Sequence, residues 1–379
     1  MGRSAYNPGI ILFVFQIAYI FALPKQGKVV SEPQTNVDNI HFFIIPTNLN
    51  SQGTHTLLQN AIDTMSSGVD GGTLFISPRV YFISSPLLIQ TSYFNFIGEQ
   101  NQDHQNPVFM LDNKLNLSNW DSVIQISNSS SLNISNIALK AFYVSSNIGL
   151  TIAGSDNIWL FQVQVFGFKK GIVTRKSDND TRLNTNISLI GCEMYYNEEN
   201  GIQLDHVKDI IISSSRSGNN GYSCLSCGPK CENVQIHCSV FEQCGWNGIW
   251  VHGDTTGIPN NVSIETSVFS ENDRDILLDG VKNVTITQNT FIQTNQDHVS
   301  IVVVASNHCL ISHNTGNTNL VPLIEKSNDI VVQNNTHDDS VINQNIFDNL
   351  DCGSGKHVSS GTKIMFASTF AVLLGLLMV

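Results

Sequence analysis

The chain has 379 residues, only 13% of them charged, and a formal net charge of −12. That balance argues against nucleic acid as a partner, because no basic stripe exists to neutralise phosphates. It also disfavours a polyanionic glycan unless a bound cation bridges the two, and calcium is the candidate.

Residues 1–22 read as a secretory signal, with Arg3 ahead of an apolar core from Ile10 to Ala22. An uncleaved membrane anchor is the alternative. Residues 23–53 form an irregular segment with a short apolar run from His41 to Ile45. An amphipathic helix is predicted over 54–66, with Leu57, Leu58, Ala61, Ile62 and Met65 on one face. Gly71-Gly72 ends the connection, and short strands follow at Thr73–Ile76, Tyr81–Ile83, Leu87–Ile89 and Tyr93–Ile97. From Asn101 to Asp121 the chain is polar and reads as an extruded loop; Ser122 to Ile126 resumes the strands.

A phrase then recurs nine times: a turn residue, an apolar residue, any residue, an apolar residue. Its turn positions are Asn136, Asn157, Asn186, Asp209, Asn233, Asn261, Asn283, His308 and Asp329. The steps run from 21 to 29 residues, the signature of a solenoid. A second apolar run follows most copies, as at Ile148–Leu150, Ile202–Leu204 and Ile249–Val251. No unit has room for a long helix. Phe241, Phe269 and Phe291 each lie eight residues after a turn position, in successive units. One coil cannot bury its own face, but stacked coils bury a continuous core. The fold class is therefore all-β: a right-handed parallel β-helix solenoid over 54–345, with regular repeats over 129–342 and the 54–66 helix capping its open end. A β-sandwich gives no reason to hold one phrase in register.

The N-terminal stretch carries a resemblance. Ala61-Ile62, Gly71-Gly72-Thr73-Leu74-Phe75-Ile76-Ser77-Pro78, Tyr81 to Leu87 and Ile97-Gly98-Glu99 resemble the N-terminal region of the pectate lyase superfamily. The match is close over roughly residues 55–100 and departs at Arg79 and Val80, where that family has Gly and Thr. The resemblance implies a β-helix with a groove along one sheet. It does not fix an activity, since the family spans lyases, hydrolases, epimerases and non-catalytic surface proteins. The Asn-Thr-Asp, Gly-His-Gly and Arg-Ile-Lys motifs of polygalacturonases are missing, and the sole Asp-Asp, Asp338-Asp339, falls after the last repeat.

Counting fourteen residues from the turn positions places Asn200, Asn247, Asp275 and Asp297 at one level of the coil. Asp275 and Asp297 would then lie about 5 Å apart in adjacent coils. A close carboxylate pair supplies an acid and a base for glycoside cleavage. Asp275, Asp297 and Glu199 are the candidate catalytic residues; Trp246, Asn247, Asn200, His298 and Arg274 are candidate substrate contacts. The structural alternative is that Asn and Asp simply favour the left-handed turn that ends a coil. A second cluster, Asp205, His252, Asp254 and Asp279, could hold calcium through oxygen ligands. No other metal or cofactor is indicated.

The remaining signals concern compartment. Gly353-Ser354-Gly355, a polar spacer over 356–363 and an apolar tail over 364–379 have the order of a glycosylphosphatidylinositol signal, with attachment at Gly353 or Ser354 and 346–363 as linker. A single-span tail is the alternative. Asn116, Asn128, Asn133, Asn179, Asn186, Asn261, Asn283 and Asn334 head N-glycosylation sequons. Cys192, Cys224, Cys227, Cys231, Cys238, Cys244, Cys309 and Cys352 are disulfide candidates in an oxidising compartment. Zinc at Cys224, Cys227 and Cys231 is the lesser reading. The expected protein is an extracellular, lipid-anchored monomer that acts on or binds polysaccharide. The alternative is a non-catalytic glycan-binding or adhesive surface protein on the same scaffold.

Overall fold

Apolar residues at every second position, mostly β-branched, set the strands, and the strands stack into three parallel sheets. The structure is a computed structural model and describes residues 40–43, 50–66, 72–101, 105–111, 122–141, 147–177, 182–295 and 298–343. Sheet A has twelve strands, from Ile40–Phe43 to Asn328–Gln333; sheet B has eleven, from Val80–Ile83 to Thr336–His337; sheet C has ten, from Leu87–Ile89 to Leu323–Glu325. Each coil visits them in the order A, B, C, as in Asp156–Phe161, Gln164–Phe166 and Lys170–Arg175. The result is the expected parallel β-helix with an N-terminal capping helix.

The core is a set of ladders. Leu160, Leu189, Ile212, Ile236, Ile264, Ile286 and Ile311 pair in register along sheet A, all at 0–1% exposure. In sheet B the rings of Phe241, Phe269 and Phe291 stack with centroids 5.3 and 5.1 Å apart. The column ends at Val332, which is exposed.

Corners are turned by left-handed residues. All nine predicted turn positions have φ between 52° and 58°. The first belongs to a different corner, however. Ser131, not Asn136, lies in the column with Asn157, since Ile158 pairs with Leu132. Asn136 turns the corner from sheet A to sheet B, together with Gln162, Gly191 and Ser214. That corner is also a left-handed residue followed by apolar ones, so the phrase fits both places. Along it, polar side chains cap the backbone of the previous coil: Cys192 N–H donates to Ser215, Ser215 N–H to Ser239, Ser239 N–H to Ser267, and Ser267 N–H to Asn289. These bonds satisfy buried donors that strand pairing leaves free.

Helix α1 (Ser51–Ser66) opens before the predicted Thr54, because Asn50 Oδ1 accepts from Gly53 N–H at 2.8 Å and caps it. Leu58, Ala61, Ile62 and Met65 are buried against the first coil. Full burial of Leu58, Ile62 and Met65 contributes about 2 kcal/mol each before entropy.

Among the cysteines, Cys224 and Cys244 form a disulfide, and Cys238 is also disulfide-bonded. Cys192, Cys227, Cys231 and Cys309 depart from the expected pairing: they are free and buried, serving as small core side chains. Contact with Cys231 and burial push the Cys227 thiol well up. Cys352, the terminal segments 1–22 and 346–379 with Gly353 and Ser354, Asn116, Asn179 and Asp297 lie outside the described residues.

Candidate functional site

Of the expected carboxylate pair only Asp275 belongs to the described residues. Sheet C pairs Asn247 with Arg274 and Ile249 with Ile276, so Asp275 sits opposite Gly248. In the next coil Ile276 pairs with Ile301, which puts Ser300 opposite Asp275. The corner between sheets B and C varies in length, so counting from the turn position loses register there. The shorter corner places Asp275 one residue out of the expected register, where it is sealed.

Asp275 is completely buried. Its Oδ1 accepts from Asn272 Nδ2 at 3.1 Å and Gln293 Nε2 at 2.8 Å. Its Oδ2 has no normal hydrogen bond, and neither has His298 Nε2, 3.7 Å away. The nearby Ser300 hydroxyl engages Thr318 Oγ1. Burial pushes the Asp275 carboxyl up to about 7, against the pull of Asn272, Gln293 and Ser300. Burial also lowers the His298 pKa. The carboxyl has no exposed surface among the described residues. Asn200 and Asn247 are buried as well and serve the ladder: Asn200 Oδ1 accepts from Ser223 N–H, and Asn247 Nδ2 donates to Ser223 Oγ.

Three of the other predicted residues do come together, on the outside. Backbone hydrogen bonds link Lys169, Glu199, Tyr222, Trp246 and Arg274 in series along the B–C corner. Four coil steps span about 19 Å. In the middle, Tyr222 and Trp246 stack with ring centroids 5.0 Å apart and remain 44% and 53% exposed. At one end Glu199 is held by Lys169 (3.6 Å) and Lys170 (3.4 Å), so it has cationic partners rather than a second carboxylate. At the other end Arg274 is exposed. Tyr222 escaped the sequence reading, although it precedes Trp246 by 24 residues, the same step as Asp209 to Asn233.

The second cluster lies on the outer face of sheet C. Asp205, Gly228, His252 and Asp279 occupy one column. A Cβ on Gly228 would stand 2.1 Å from Asp205 Oδ1 and 3.4 Å from His252 Nε2, so the glycine makes room for both. Gln203 Nε2 donates to Asp205 Oδ2 at 2.7 Å, and His252 stacks on Trp250 with centroids 3.9 Å apart. Burial lowers the His252 pKa, against Asp205, Asp279 and Asp254. Asp254 spends its carboxylate on the Thr256–Gly257 turn. Among the described residues no group of three or more His, Cys, Asp or Glu is arranged to hold a metal ion, so the calcium expectation finds no ligand set here.

These features sit on a widely used scaffold. The fold is a pectin-lyase-like parallel β-helix. A DFA-IIIase from Arthrobacter chlorophenolicus, crystallised without its lid, is 10% identical, with TM-score 0.54, over 79% of this chain and 99% of that one. The A-module of the Azotobacter vinelandii mannuronan C-5 epimerase AlgE4 is 14% identical, with TM-score 0.56, over 75% and 93%. PfbA, a surface adhesin of Streptococcus pneumoniae, is 15% identical, with TM-score 0.53, over 75% and 86%. At these identities the likeness establishes the fold alone. No protein-family model matches the sequence, and no curated protein matches it either.

Proposed function

We propose that this chain is a glycan-binding protein of the cell surface, which docks polysaccharide on the ridge from Lys169 to Arg274. The observation that carries the reading is the exposed Tyr222–Trp246 stack, supplied by consecutive coils, above a sealed Asp275. Flat aromatic faces match the apolar faces of sugar rings, and the flanking Lys, Glu and Arg offer hydrogen bonds to hydroxyls. The same scaffold carries a mannuronan epimerase and a surface adhesin, which supports a glycan partner. The terminal signals, the sequons and the Cys224–Cys244 disulfide support an extracellular, lipid-anchored location. The test is a polysaccharide screen by affinity electrophoresis. Trp246→Ala and Tyr222→Ala should each weaken binding about three- to tenfold, while Asp275→Asn should bind like the parent. Undiminished binding by the double variant would remove the ridge.

A second reading is favoured by one feature, the neutral His252 beside Asp205 on the outer face of sheet C. A base next to a carboxylate, with Trp250 as platform, suits a carbohydrate-active enzyme. Release of reducing ends or unsaturated products that disappears in His252→Ala would favour it over simple binding.

A further inference from the structure

The outer face of sheet C carries a second concavity, toward the N-terminal coils and away from the ridge. It encloses about 100 Å³ and is lined by Gln90, Gln125, Ser127, Asn128, Arg175 and Ser177. Sequence does not suggest it, since these residues come from separate coils. Register brings them together: Ser127 pairs with Ala153, and Ala153 with Arg175.

Its polarity has a direction. Among the described residues no carboxylate lines it. Arg175 Nε is buried without a hydrogen-bond partner, and Arg175 makes no ion pair among the described residues. In a chain of net charge −12, an uncompensated guanidinium facing a polar hollow is out of keeping with the rest of the surface. Gln90 Nε2 donates to Ser127 Oγ at 2.9 Å, which leaves the Ser127 hydroxyl free to donate into the hollow. A second guanidinium, Arg182, reaches the rim and donates to Asn128 Oδ1 at 3.4 Å. Gly154, at φ 57°, keeps the mouth open: a Cβ there would stand 2.9 Å from Ser177 Cβ and 3.0 Å from Asn128 Oδ1.

We infer that this pocket binds one anionic oxygen group, a carboxylate or a sulfate. Its volume equals that of about three waters, enough for such a group and too little for a whole sugar ring. A guanidinium binds either group through paired N–H donors. That the group is borne by a sugar rests on the glycan reading above; the anion site itself does not. The chain's overall acidity disfavours polyanions at long range, but among the described residues the charged groups at the pocket are Arg175 and, at its rim, Arg182.

The experiment follows the Arg175 Nε–H resonance by NMR, on protein made without N-glycans because Asn128 heads a sequon. Free glucuronate, inorganic sulfate and neutral glucose are titrated at matched ionic strength. Saturable shifts with glucuronate or sulfate and none with glucose are expected, and the two anions separate a uronate from a sulfate ester as the natural group. Arg175→Gln should lose at least tenfold in anion affinity, read by calorimetry on protein whose thermal melt is unchanged; Arg175→Lys should fall between. Absence of shifts with both anions, equal response to glucose, or undiminished affinity in Arg175→Gln would overturn the inference. Loss of anion binding with ridge binding intact removes only this site. Loss of polysaccharide binding in Trp246→Ala with anion binding intact removes only the ridge.

Discussion

Replacing Asp275 by Asn should make the protein more stable above neutral pH and remove the loss of stability that ionising this carboxyl causes. The amide keeps an Oδ1 acceptor for Asn272 and Gln293, and its Nδ2 takes the place of the orphaned Oδ2, facing His298 Nε2. The carboxyl is raised from 3.8 to about 7 in the folded chain. A raised acid pKa means stability fully present below pH 4 and lost as pH climbs through 7, because the unfolded chain ionises first. The gap corresponds to about 4 kcal/mol, a large share of the 5–15 kcal/mol typical of a folded domain. His298 tilts the other way: its lowered pKa takes away stability as pH falls below 6.5. Glu271 acts on both groups, raising each, while Asp273 raises and Arg274 lowers His298 alone. The assay is urea unfolding of parent and Asp275→Asn at pH 4.5, 6, 7 and 8. The parent midpoint should drop over pH 5–8 more steeply than the variant's, which keeps the opposite slope of the histidines with lowered pKa, His298 and His252 among them. Parallel profiles for the two proteins above pH 5 would refute the assignment of a protonated, sealed carboxyl.

Two further outcomes follow from the ladders and corners. Phe269 is stacked between Phe241 and Phe291 and is fully buried, so Phe269→Ala should cost about 3–5 kcal/mol, read as a lower urea midpoint. Asn186, Asn261, Asn283 and Asn334 are exposed and should carry glycans, whereas Asn128, which lines the Arg175 pocket, and Asn133, half-buried on sheet A, should be the least occupied; peptide mapping of secreted protein decides this.

The architecture was legible because its cause is repetitive. Ile, Leu and Val at alternate positions can only be buried by another coil, and Leu189, Ile212, Ile236, Ile264 and Ile286 form one inward column as that logic requires. The Phe stack and the capping face of α1 were readable on the same ground. The outward ridge was half readable: Trp246, Glu199 and Arg274 were picked out, but Tyr222 and Lys169 were not.

What sequence could not decide is which way a corner residue points. A corner shortened by one residue sets Asp275 opposite Gly248 instead of Asn247, and there Asn272, Gln293 and His298 close around it while the neighbouring strands keep their pairing. The same holds for the Arg175 pocket, whose lining residues lie up to 87 positions apart in the sequence. Sequence by itself determined that the chain stacks coil on coil. Only tertiary structure decided which polar groups meet and which are sealed, because those outcomes depend on corner length, which the repeating hydrophobic pattern does not constrain.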